Sequence, residues 1–185
     1  MSSIRRSAAV VAGPALALLL ATSVAAGPGG DRHAFGTFVD ANGNTIGHVR
    51  LGQDRHGEVR VNVSVDGLTP GLHGIHIHAV AACAPTFAAA GGHYNPLARQ
   101  HGLLNASGAH AGDLPNLTVN EDGVGHLDAT TDRVTLTNGP TTLFDTTAGA
   151  VGSSFIIHAS EDDQSTDATN GGSGGRIACG VIVAG

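Results

Sequence analysis

Lysine is absent from the 185 residues, and all nine basic side chains are arginine. They do not cluster: Arg32, Arg50, Arg55, Arg60, Arg99, Arg133 and Arg176 are scattered among fifteen acidic residues, so the chain has no nucleic-acid-binding patch. Charged residues make up only 13% and aromatic residues 3%, a composition that fits neither a disordered segment nor a helix-rich one. No stretch carries a convincing helical period, and 28 glycines cut the chain into short runs. What remains is a turn-dense all-β chain, long enough for one domain with a real core and without a composition break that marks a second.

Long apolar runs are also missing, except at the start. There "MSSIRR" supplies a short basic region, "SAAVVAGPALALLLATSV" an uncharged apolar one, and "VAA" or "SVA" a small-residue cleavage context near Ala25 or Ala26. Gly13, Pro14 and the alanine content make the run a poor permanent anchor, so residues 1–26 are expected to be a cleaved signal peptide, with no stable membrane anchor. The expected product is exported to a periplasmic, cell-envelope or secreted location. Residues 27–33, "GPGGDRH", then form a flexible lead-in to one domain over 34–185. Seven basic against fifteen acidic side chains leave the mature chain with a net charge near −8. Cysteine is scarce as well: only Cys83 and Cys179 are present, and in an oxidising compartment two cysteines most simply form a disulfide.

The rest reads as strands cut by turns. "AFGTFVD", "TIGHVRL" and "EVRVNVSVDGL" alternate with period two, and "ANGN" supplies a hairpin turn between the first two. "LHGIHIHAV", "LPNLTV", "DGVGHLDATT", "RVTLT", "SFIIHA" and "RIACGVIVAG" follow, which predicts a sandwich or small barrel. Segments 84–113 and 159–175 are long, Gly-rich and polar, and loops of that length in a compact domain are usually functional.

Histidine is the residue in excess. His76 and His78, two apart on a strand, share a face, and His73 points to the other. His93, His101, His110 and Asp113 fall in the first long segment, and His158 ends the strand before the second. These are seven candidate metal ligands. They satisfy two four-coordinate sites if one imidazole uses both nitrogens; imidazole suits copper and zinc, and a mixed His and Asp set suits zinc. His33, His48, His56 and His126 read as ordinary surface or core residues without a metal role. The sequons "NVS", "NAS" and "NLT" matter only in a eukaryotic secretory route, and "DANGN" lacks the glycine and glutamate of a calcium loop.

Taken in order, "GLHGIHIH", "GGHYNP", "QHG", "HAGDLPN", "IIHASEDD" and "GGRIACGVI" resemble the copper-zinc superoxide dismutases of the bacterial exported type, from about residue 34 to the C-terminus. The resemblance implies an eight-stranded Greek-key β-barrel, an immunoglobulin-like architecture with two long functional loops. It implies one copper ion per subunit on His76, His78, His93 and His158, and one zinc ion on His93, His101, His110 and Asp113, with His93 shared. Asp162 takes the place of the aspartate that links a copper-binding to a zinc-binding histidine. Arg176 takes that of the arginine beside the copper, which together with His93 serves catalysis, and Cys83 and Cys179 match the family disulfide. The implied substrate is superoxide, and the implied assembly a monomer or homodimer. The acidic run Glu161, Asp162, Asp163, Asp167 and the lack of lysine leave Arg176 as the visible attraction for an anion. The alternative reading is an exported copper- and zinc-binding module without significant dismutase activity.

Overall fold

The computed structural model describes residues 32–144, 152–165 and 170–185. The expected signal peptide, lead-in residues 27–31 and Asp167 lie outside the described residues. Ten strands are assigned among those described: β1 (Arg32–Asp40), β2 (Thr45–Gln53), β3 (Val59–Val65), β4 (Gly71–His73), β5 (Ile75–His78), β6 (Leu117–Val119), β7 (Gly125–Thr131), β8 (Ser154–His158), β9 (Arg176–Val181) and β10 (Val183–Ala184). β1 starts two residues before the expected domain boundary, because Arg32 and His33 already pair with Gln53 and Gly52.

Ten strands amount to eight passes of the chain. β4 and β5 are one pass broken at Gly74, and β9 and β10 are one pass broken at Ile182. The first break closes the barrel. The pairing order is β4-β6-β7-β3-β2-β1-β9-β8-β5, so the first half of the pass 71–78 pairs with one end of the sheet and the second half with the other. Every pairing between these strands is antiparallel, and the connections β3 to β4 and β7 to β8 cross over in Greek-key fashion. Closure leaves few unpaired edges. Gly74 allows it: a Cβ there would lie 2.6 Å from the Ser173 Cβ, so only glycine lets the loop 170–175 close against the break.

Period-two alternation accounts for the core. Val59, Val61, Val63 and Val65 are buried while Arg60, Asn62 and Ser64 face solvent. Each buried valine contributes about 1.5 to 3 kcal/mol relative to an exposed one. The "ANGN" stretch is the expected hairpin turn, with the Asn42 and Asn44 amides donating to Asp40 Oδ1. "RVTLT" departs from expectation and forms no strand. Val134 and Leu136 are buried as its alternation foretells, but the backbone turns back on residues 141–143, and the Leu136 amide donates to the side chain of Gln53. Alternation there records burial without a neighbouring strand to pair with.

Candidate metal centre

β5 and β8 pair in register, with His76 opposite Ile156 and Ile75 opposite Ile157. Ile75, Ile77, Phe155 and Ile157 enter the core. The alternate residues His76, His78 and His158 are equally buried, each at most 2% exposed, because the two long loops cover them. Gly112 seats the first loop against β5: its N–H donates to the Tyr94 carbonyl, its carbonyl accepts from the Ile77 N–H, and a Cβ would collide with the Ile77 carbonyl.

Two donor sets converge. The ligand atoms of His76, His78, His93 and His158 lie within 4.8 Å of one another, as do those of His76, His93, His101 and Asp113. His110 is outside the second set by that measure, yet its Nδ1 is 3.2 Å from Asp113 Oδ1 and 3.3 Å from His93 Nδ1. His73 joins neither set. Its ring spans the carbonyls of His158 and Thr69 at 2.7 and 2.8 Å, ties β4 to the end of β8, and was foreseen only as pointing away.

In the first set each imidazole has one nitrogen committed and one free. His78 Nδ1 and His158 Nδ1 donate to the carbonyls of Gly91 (2.9 Å) and Gly174 (3.0 Å), and His76 Nε2 donates to Asp162 Oδ2 at 2.6 Å. His93 Nδ1 faces Asp113 Oδ1 at 3.0 Å. The opposite nitrogens, His76 Nδ1, His78 Nε2, His93 Nε2 and His158 Nε2, are buried without a hydrogen-bond partner. Four orphaned ring nitrogens at one point would be costly unless their lone pairs serve a common cation. Fixing the far nitrogen is how proteins aim a histidine ligand.

Electrostatics separates the sets. Burial pushes His76 down to about 3, against the opposing pull of Asp162; burial and neighbouring positive charge push His78 to about 2 and His158 to about 4. Burial lowers His93 too. These rings stay neutral, as ligands must. In the second set burial works against His101, but its hydrogen bonds to Asp113 and Asp162 prevail and raise it to about 9. Burial would raise Asp113, but donation from His101, His110 and His93 holds it far below the carboxylate range. Asp162 is held low in the same way by His101 and His76.

Asp162 is buried, while its neighbours Glu161 and Asp163 are exposed. It touches His76 Nε2 and, at 3.1 Å, His101 Nε2, and so links the two sets. Arg176 lines a cavity of about 480 Å³ together with His78, His93, His110 and His158, and Asn95 and Asn170 add neutral polar groups that sequence reasoning did not single out. Its Nη1 and Nη2 donate to the carbonyls of Phe87 and Gly91, both at 2.6 Å. The Gly91 carbonyl thus orients both His78 and Arg176. Main-chain acceptors of this kind leave no mark in the sequence. The Cys83–Cys179 disulfide is present and joins the segment carrying those carbonyls to β9.

The fold and site define a closed β-barrel with two adjoining His and Asp donor sets able to hold metal ions. The chain belongs to the copper/zinc superoxide dismutase family, whose model matches residues 45–182. Similar solved structures include a SOD-like protein from Bacillus subtilis, with 34% identity, 80% of this chain and 97% of that chain covered, and a TM-score of 0.74. A double mutant of a SOD-like protein from the same organism has 37% identity, coverage of 80% and 95%, and a TM-score of 0.73. The clock protein EA4 has 30% identity, coverage of 81% and 92%, and a TM-score of 0.69.

Proposed function

We propose that the protein is an exported superoxide dismutase that converts superoxide to dioxygen and hydrogen peroxide. The observation that carries this reading is the convergence of four buried, unpartnered ring nitrogens beside a cavity with an arginine in its wall. His76, His78, His93 and His158 would hold copper, which suits an all-imidazole set. His93, His101, His110 and Asp113 would hold zinc. Asp113 Oδ1 lies 3.0 to 3.2 Å from the Nδ1 atoms of His93, His101 and His110. A tetrahedron with bonds of about 2.0 Å has edges of about 3.3 Å, close to these separations. His76 belongs to the first set, because its Nδ1 is one of the four unpartnered ring nitrogens there.

Bound copper would supply the alternate uptake and return of one electron that dismutation requires. The residues supply the rest. Arg176 attracts the anion into the cavity and holds it against the His78 and His158 side. His93 faces both sets, with Nδ1 fixed at Asp113 and Nε2 free, so Nε2 can carry a proton in one half of the cycle and release it in the other. Asp162 keeps His76 and His101 in their tautomers. Export is supported by the disulfide, because cytosolic thiols are kept reduced, and by the targeting features of residues 1–26. Among the described residues no helix is long and apolar enough to cross a membrane. One copper and one zinc per subunit, in a monomer or homodimer, complete the reading.

The test is superoxide-decay kinetics on the purified mature chain, with both metals quantified in the same sample and ionic strength varied. The expected result is fast, copper-dependent decay at near-equal copper and zinc, slowing as salt screens Arg176. Both metals bound without catalysis would make the protein the copper- and zinc-binding module of the alternative reading.

A further inference from the structure

The two long loops meet where residues 159–165 lie on the stretch that leads into β6. Asp162 is the centre of that contact, with its carboxylate on His76 from one donor set and on His101 from the other. Its backbone is held by a single side chain. Asn116 Oδ1 accepts from the Asp162 N–H at 2.9 Å, and Asn116 Nδ2 donates to the Asp162 carbonyl at 2.8 Å. Both main-chain groups of Asp162 are thus fixed by one planar amide, 46 residues away in sequence.

Asn116 is itself anchored. The next residue, Leu117, is fully buried and begins β6, where it pairs with His73. The amide therefore transmits the position of the barrel wall to the loop. Without it, Asp162 would sit between exposed Glu161 and Asp163, and its own carboxylate contacts would have to order the backbone. Two bonds to the peptide groups on either side of one Cα restrict both translation and rotation of that residue, so the carboxylate keeps few freedoms beyond its own side-chain torsions.

We propose that Asn116 is the positioning residue for the Asp162 carboxylate, so that a side chain outside both donor sets governs how firmly they hold their metals. The inference rests on reading the two sets as metal sites. When the clamp is lost, His76 Nε2–H and His101 Nε2–H lose a fixed acceptor, and both rings gain freedom to turn. Loss of such outer partners typically weakens metal binding by about 10- to 100-fold.

The experiment uses the full mature chain loaded with copper and zinc, and reads zinc release to a colorimetric chelator and the visible absorption band of bound Cu(II). The variants are Asn116→Ala, Asn116→Asp, Asp162→Asn, and Asn116→Ala combined with Asp162→Asn. Asn116→Ala is expected to release zinc about tenfold faster and to shift the Cu(II) band. Asn116→Asp keeps the acceptor for the Asp162 N–H but sets a carboxylate oxygen against the Asp162 carbonyl, so it should release zinc at least as fast as Asn116→Ala. Added to Asp162→Asn, the alanine change should accelerate release no further, because Asn116 acts through that carboxylate. Wild-type release and spectrum in folded Asn116→Ala, or an effect that adds in full to Asp162→Asn, would overturn the proposal. If the alanine variant does not fold, Asn116→Asp carries the same comparison in both backgrounds. A wild-type chain that takes up no metal would overturn the proposed function itself, whereas uptake with an inert Asn116 overturns this inference alone.

Discussion

The two halves of the candidate metal centre are built differently. His76, His78 and His158 stand on paired strands, so the ladder that closes the barrel also sets the distances between their backbones. His101, His110 and Asp113 stand on a loop, and what gathers them is one carboxylate facing three imidazoles. The first half is organised by backbone pairing and burial, and it keeps its rings neutral. The second half is organised by charge, with carboxylates whose hydrogen bonds raise His101 above the ordinary histidine value. His93 and Asp162 join the halves, one by ring and one by carboxylate. The contrast separates a rigid set, suited to a reacting metal, from a charge-held set, suited to ordering the loop.

Removing one strand-borne ligand has the largest expected effect. His158→Ala is expected to abolish superoxide turnover while the chain stays folded and zinc-loaded, as read by decay kinetics with metal analysis; full activity would remove the strand set from the chemistry. Reduction of Cys83–Cys179 comes next. The bridge spans 96 residues, and its loss should lower stability by about 4.7 kcal/mol in the chain-entropy model, measured by urea unfolding with and without reductant. Because the tethered segment supplies the Phe87 and Gly91 carbonyls, copper affinity should fall more than zinc affinity.

Gly112→Ala tests the seam between loop and strand. Its methyl would meet the Ile77 carbonyl, so a cost of about 1 to 3 kcal/mol is expected, together with weaker zinc uptake. An unchanged unfolding midpoint would mean that the loop does not rest on β5 as described. The smallest effect is in pH. In metal-free protein His76, His78 and His158, with values near 3, 2 and 4, contribute stability that is complete above pH ~6.5 and falls as pH drops toward those values. His101, raised to about 9, contributes stability that is complete below pH ~6.5 and is lost as pH rises through 9. The halves therefore predict slopes of opposite sign, each up to about 1.4 kcal/mol per pH unit per histidine. Urea titrations between pH 4 and 10 would expose them, and a flat profile would erase the distinction.

Much of this was legible beforehand, for identifiable reasons. Alternation in "VRVNVSV" is a local property, and it located β3 and its buried face. The same signal misled in "RVTLT", because alternation reports burial and says nothing about whether a strand lies alongside. His76 and His78 share a face by the period of a strand, as expected, and "SFIIH" delivers His158 beside them. The part played by His73 was not legible, since its two carbonyl partners come from residues 69 and 158. Asp162 was assigned from the resemblance of the motifs, but its burial beside exposed Asp163 follows from contacts distant along the chain.

The sequence by itself determined the inventory: seven donor residues of the right type, two cysteines for one bridge, a solitary Arg176 near the end, and a β-rich pattern with two long loops. Composition, period and order along the chain are enough for that. Which nitrogen of each ring is free, and how a pass broken at Gly74 closes the barrel, follow only from the packed fold. Each of those depends on a partner distant along the chain, such as the Gly91 and Gly174 carbonyls or the amide of Asn116. Hydrogen bonds of that kind exist only after the backbone has folded around them.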